Sequence, residues 1–167
     1  MLFIFDLDQT LIDSKIALNL RSQRRWSDVY RLIPRMKPYP MIMETLDYIS
    51  TNRHKIAIVS TAPRPYCERV VTHFKFHVDV IIGYHDTTKR KPNPDPMIKA
   101  LGECGYTNTN SISFGDRDID IISAKRAGIL ACGCYWDSDN PEQLRASEPH
   151  LSFDTVKSMY DYINSNH

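Results

Sequence analysis

The chain has 167 residues, 42% of them hydrophobic and 25% charged, and a formal net charge of +1. That length buries one sizeable core and is too short for two ordinary domains, so a single domain over residues 1–167 is expected. The balance excludes disordered, collagen-like and coiled-coil classes, and the charge does not announce a nucleic-acid partner.

Apolar runs extend for only a few residues, far below the roughly 20 that a membrane span needs. Leu2–Phe5 meets Asp6 with no basic leader or cleavage site, so a cytoplasmic protein without a membrane partner is expected. Cys67, Cys104, Cys132 and Cys134 form neither a disulfide framework nor a zinc-ligand pattern.

Taken in chain order, short apolar runs alternate with amphipathic stretches, the signature of a mainly parallel sheet with helices on both faces. Leu2–Phe5 reads as the first strand, followed at once by Asp6-Leu7-Asp8-Gln9-Thr10. Residues 11–40 differ in character, with seven basic residues (Lys15, Arg21, Arg24, Arg25, Arg31, Arg35, Lys37) against two acidic ones, Asp13 and Asp28. Broken by Pro34 and Pro38, this segment reads as one or two short helices inserted after the first strand. Met41–Thr51 is an expected helix, and Ile56–Val59 an expected strand that ends in Ser60-Thr61. Pro65–Phe74 opens as a helix with proline in its first turn, Val78–Ile82 reads as a strand, and Pro94–Gly102 as a helix following Lys89-Arg90-Lys91-Pro92-Asn93. Ser111–Phe114 is a further strand, with Gly115 allowing a tight turn into Asp116 and the helix Asp118–Ala127, which stops at Gly128. Ile129–Tyr135 completes the strands, and Thr155–Asn164 the helices, capped by Asp154.

The chemistry concentrates at strand ends. Carboxylates at i and i+2 leave a strand on one side, so Asp6 and Asp8 share a cleft. Asp116 leaves another strand, and Asp120 lies about one helical turn beyond it. If the two strands are neighbours the four acids converge, and such a cluster needs a cation. Magnesium suits hard oxygen ligands and retains waters and phosphate oxygens in its shell. Ser60 and Thr61 offer hydroxyls and amides at a strand tip, and the Lys91 ammonium suits transferring phosphoryl oxygens. Asp118 is adequately explained as a helix cap or first-turn residue.

Over residues 3–136 the sequence resembles the haloacid dehalogenase superfamily of phosphohydrolases, with Asp6-Leu7-Asp8-Gln9-Thr10, Ser60, Lys91-Pro92-Asn93-Pro94 and Gly115-Asp116 with Asp120 as its four motifs. The resemblance implies a three-layer Rossmann-like α/β fold and a Mg²⁺-dependent phosphatase. It makes Asp6 the nucleophile that becomes an aspartyl phosphate and Asp8 the acid that protonates the leaving group and then activates water. It implies that Asp6, the backbone carbonyl of Asp8, and Asp116 hold Mg²⁺, that Ser60, Thr61 and Lys91 bind the phosphoryl group, and that Asp120 orients the metal shell or Lys91. A carboxylate at position 8 argues for phosphoryl transfer over carbon–halogen cleavage, since a halide leaves without a proton.

Three departures stand out. Gln9 replaces the glycine most common there and is a candidate substrate contact, as is Arg64. Only 49 residues lie between Thr10 and Ser60, which leaves residues 11–40 as a very small basic cap or flap. A cap that small implies an open mouth and a bulky or polyanionic substrate, such as a nucleic-acid end or a phosphoprotein, or a partner subunit acting as lid. Its basic residues also fit a plain solvated face, with Trp26, Val29, Tyr30 and Ile33 packing it onto the core. The same motifs accommodate a phosphotransferase or mutase, or a binding module that retains the fold without catalysis.

Overall fold

A computed structural model describes all 167 residues. Strand β1 (Leu2–Phe5) leads into an insert made of β2 (Ile12–Asp13), α1 (Leu18–Ser22), α2 (Trp26–Leu32) and β3 (Lys37–Pro38), with β2 and β3 paired antiparallel. Then follow α3 (Ile42–Thr51), β4 (Lys55–Val59), α4 (Arg64–Phe74), β5 (Val80–Ile82), α5 (Asp95–Cys104), β6 (Ser111–Gly115) and α6 (Asp118–Arg126). The chain ends with β7 (Leu130–Cys134), α7 (Pro141–Ala146), β8 (Leu151–Phe153) and α8 (Val156–Asn166).

Six strands form one sheet in the order β5-β4-β1-β6-β7-β8, every neighbouring pair parallel. The continuous apolar strands are explained by burial on both faces. Phe3, Phe5, Ile56, Ile58, Ile112 and Phe114 point into one core, which α3, α4 and α8 cover with Leu46, Ile49, Tyr66, Val70, Met159 and Ile163. Their alternates Leu2, Ile4, Ala57 and Val59 point into a second core closed by Met97 and Ala100 of α5, Ile121 and Ala124 of α6 and Leu144 of α7. The result is a three-layer α/β sandwich. No helix is long and apolar enough to cross a membrane.

From β1 the chain winds outward through β4 to β5, then returns to β6 and winds the other way to β7 and β8. The winding direction therefore reverses between β1 and β6, and the crevice beyond their carboxyl ends is where open sheets of this kind bind ligands.

The insert is welded to the first core by Ile12, Ala17, Val29, Ile33 and Met36, all buried there, with Trp26 and Tyr30 packed against them. Its cations are largely paired. Lys15 bonds Asp137, and Arg25 and Arg31 both reach Asp28. Packing and local ion pairs thus account for much of the basic stripe.

Three local expectations are revised. The last helix is capped by Thr155, whose hydroxyl accepts from Ser158 N at 3.0 Å, and not by Asp154. α7 and β8 escaped detection, the former opening on Asn140-Pro141 with the Asn140 side chain accepting from Gln143 N. Gly115 is the last residue of β6 rather than a turn residue, and its missing side chain is what matters. A Cβ there would lie 2.3 Å from the Asp120 Cβ, so only glycine lets α6 approach the strand this closely. Gly115→Ala is expected to lower the thermal midpoint by roughly 5 °C or more, through the overpacking cost of about 1–3 kcal/mol. A calorimetric scan of the variant checks this.

Candidate active site

Asp6 follows β1, Ser60 follows β4 and Asp116 follows β6, so three strand tips deliver side chains to one crevice. Carboxylate oxygens of Asp6, Asp116 and Asp120 lie within 4.8 Å of one another, and all three residues are buried. Lys91 stands in their midst. Its Nζ donates to Asp6 Oδ1 at 2.7 Å, Asp120 Oδ1 at 2.6 Å and the Val59 carbonyl at 2.8 Å. Burial works against the ammonium, but Asp120 and Asp6 outweigh it and hold Lys91 charged above its ordinary range.

One lysine does not neutralise three acids. Burial first, and then Asp6 and Asp120, push the Asp116 carboxyl well above the usual carboxylate range, and burial likewise raises Asp6. Asp120 has both oxygens engaged, Oδ1 by Lys91 and Oδ2 by the Arg117 amide at 3.0 Å. Asp116 Oδ1 accepts from Thr10 Oγ1 at 2.8 Å. Asp6 and Asp116 therefore each keep one oxygen without a protein donor. Two such oxygens beside an excess of negative charge fit a small hard cation such as Mg²⁺, with Asp6 and Asp116 as the side chains that would hold it and Asp120 fixing Lys91.

Asp8, also buried, has partners of its own. Its Oδ1 accepts from Ser14 Oγ at 2.6 Å and Tyr66 OH at 2.7 Å, and Arg21 Nη2 lies 2.8 Å from its Oδ2. Its side chain thus sits apart from the three-carboxylate cluster. Gln9 occupies the left-handed region at φ 60°, where a side chain costs about 1–2 kcal/mol. Its amide donates to Ser14 Oγ at 3.1 Å, so Gln9 braces the support of Asp8.

Ser60 Oγ accepts from the Ala62 amide at 3.0 Å, forming the tight turn after β4, and Thr61 Oγ1 accepts from Arg117 Nη2 at 3.0 Å. Arg64 is not brought to the cluster. Its Nε donates to Asp86 at 2.9 Å and 3.2 Å, tying α4 to the segment after β5. Sequence reasoning missed Ser14 and Arg21, which bond within the first loop and insert, and Thr10, Tyr66 and Arg117, whose roles depend on partners far along the chain. A cavity of about 320 Å³ adjoins the site, bounded by Arg21, Arg24 and Trp26 of the insert and by Thr61, Tyr84 and His85 of the core.

A family model described as haloacid dehalogenase-like hydrolase matches residues 20–134, more than half of the chain. The chain belongs to that family. Among curated relatives, it is 30% identical to a phosphoglycolate phosphatase of Aquifex aeolicus over 102 residues, 60% of this chain and 48% of that protein. It is 24% identical over 159 residues, 94% of this chain and 72% of the relative, to the pyrophosphatase PpaX of Oceanobacillus iheyensis. The chain spans about half the length of the first curated relatives it matches. A hydrolase from Pseudomonas syringae shares the fold at a TM-score of 0.81 and 18% identity, covering 98% of this chain and 97% of the other.

Because the folded state binds the Asp6 and Asp116 protons more tightly than the unfolded chain, metal-free protein loses stability as pH rises above the ordinary carboxylate range, and the loss is complete once pH passes the raised folded values. Mg²⁺ held there would compete with those protons. At about a hundredfold excess over its dissociation constant it is expected to stabilise by about 2.7 kcal/mol, raising the midpoint by roughly 5–10 °C at neutral pH and by less in acid. Asp116→Asn is expected to melt at or above the metal-free wild type and to lose the Mg²⁺ response. Melts with and without Mg²⁺ at two pH values check both.

Proposed function

We propose that the protein is a Mg²⁺-dependent phosphomonoester hydrolase that works through a covalent phosphate on Asp6. The observation that supports this most directly is the single crevice shared by Asp6, Lys91, Asp116 and Asp120 at the sheet's switch point. An Asp6 oxygen bonds to phosphorus while the bond from phosphorus to the leaving oxygen breaks, and Asp8 gives its proton to that oxygen. Asp8 then takes a proton from water, whose oxygen attacks phosphorus. The bond to Asp6 breaks, releasing inorganic phosphate and restoring the carboxylate.

Lys91, already bonded to Asp6, stabilises charge on the phosphoryl oxygens, and Ser60 and Thr61 line the same strand tip. A divalent ion held by Asp6 and Asp116, with the Asp8 carbonyl as the further ligand the family pattern implies, would supply the remaining positive charge. The Arg117 guanidinium donates to Thr61 and feels Asp120, Asp6, Asp116 and Asp8, which supports a role for it as a second cation toward the phosphoryl oxygens.

The substrate we infer carries anionic groups beyond the phosphoryl group. Supporting this, the cavity beside the site presents Arg24 and no acidic residue, with Arg21 on its wall paired to Asp8. A nucleic-acid terminal phosphate is the bulky member of that class. Its test is a comparison of phosphorylated oligonucleotides, nucleotides and sugar phosphates with Mg²⁺ at rising salt. Oligonucleotide preference that weakens with salt is the expected result, and a salt-independent preference for sugar phosphates would remove the polyanion reading. Asp6→Asn is expected to lower kcat at least about a thousandfold with little change in melting, as quenched-flow phosphate release and calorimetry would show.

A further inference from the structure

Most of the insert's cations lie at its surface, but Arg21 is an exception. Its side chain is only 16% exposed and reaches Asp8. Its Nη1 also donates to Ser14 Oγ at 2.8 Å, and its guanidinium carbon lies 5.8 Å from the centre of the Tyr66 ring. Ser14 is thereby saturated, accepting from Arg21 and Gln9 and donating its one proton to Asp8.

The two oxygens of Asp8 are treated differently as a result. Oδ1 carries two hydroxyl donors, from Ser14 and Tyr66. Oδ2 is buried and has no aligned hydrogen bond, although the Arg21 charge is 2.8 Å away. What holds this buried oxygen is the Arg21 charge, so the orientation of the Asp8 carboxyl is set jointly by Ser14, Tyr66 and Arg21.

We propose that Arg21 is a positioning residue: with Ser14 and Tyr66 it fixes the rotation of the Asp8 carboxyl that gives its proton to the leaving oxygen, making the insert part of the proton-transfer machinery. This rests on the reading of Asp8 as proton donor. If Arg21 only fastened the insert to the core, its loss would impair all substrates alike. A misoriented Asp8 has a different signature, because 4-nitrophenolate departs without a proton whereas an alkoxide does not.

The test measures kcat and KM with Mg²⁺ for Asp8→Asn, Arg21→Met, Arg21→Lys and Tyr66→Phe, on 4-nitrophenyl phosphate and on an alkyl phosphate. Asp8→Asn is expected to lose more kcat on the alkyl ester. Arg21→Met is expected to show the same selectivity at about tenfold, part of the 10²–10⁴ that a general acid supplies, with Arg21→Lys restoring some of it. Tyr66→Phe, which keeps the buried ring, is expected to shift selectivity the same way and serves if Arg21→Met does not fold. Equal losses on both esters for Arg21→Met and Tyr66→Phe, or a change confined to KM, would overturn the positioning role while leaving Asp8 as the acid. Equal losses for Asp8→Asn itself would overturn both readings.

Discussion

The site depends on one buried ammonium. Lys91 joins three segments: Asp6 after β1, Asp120 in the first turn of α6 and the Val59 carbonyl at the end of β4. Burying an ion is costly unless good geometry compensates it, and here every proton of the ammonium has an acceptor within 2.8 Å. Such a contact ties two strand tips and the start of α6 to the charge state of one group. It also leaves the cluster short of positive charge, because Asp116 adds a third acid that Lys91 does not touch. That shortfall, set on the side where Asp6 and Asp116 keep free oxygens, is what would draw a cation to the crevice.

Sheet topology makes the convergence possible. β1 pairs with β6 in register from Leu2 opposite Ser111 to Phe5 opposite Phe114, so the residues that follow emerge side by side. The Gly115 backbone then admits Asp120 against the strand, and Thr10 ties the first loop to Asp116. On the other side of Asp6, the insert supplies Ser14 and Arg21 to Asp8. Residues 11–40 are thus continuous with the site as well as with the core, and much of their charge is taken up by local pairs, with Arg24 left beside the cavity.

Much of this was legible from residue types at strand ends. Asp6, Asp8, Ser60, Lys91 and Asp116 each sit just past an apolar run or before a helix, and the i+4 spacing predicted that Asp116 and Asp120 would meet. What stayed hidden depends on long-range contact. Thr10 bonds a residue 106 positions away, Tyr66 one 58 away and Arg117 one 56 away, and periodicity carries no trace of these pairs. Tyr66 reads as an ordinary core aromatic of α4, and Arg117 as a surface cation between two acids. β8 is three residues long, too short for alternation to register. Gln9 and Arg64 are expected as substrate contacts, but the structure turns both toward intramolecular partners, Ser14 and Asp86.

The central claim is that acids from two strands share one cation opposite a buried lysine. Anomalous diffraction from crystals soaked in Mn²⁺, a hard-oxygen surrogate for Mg²⁺, tests it most directly. The account predicts one strong peak within bonding distance of both Asp6 and Asp116. A peak bound elsewhere, or none at these residues under saturating Mn²⁺, would contradict it.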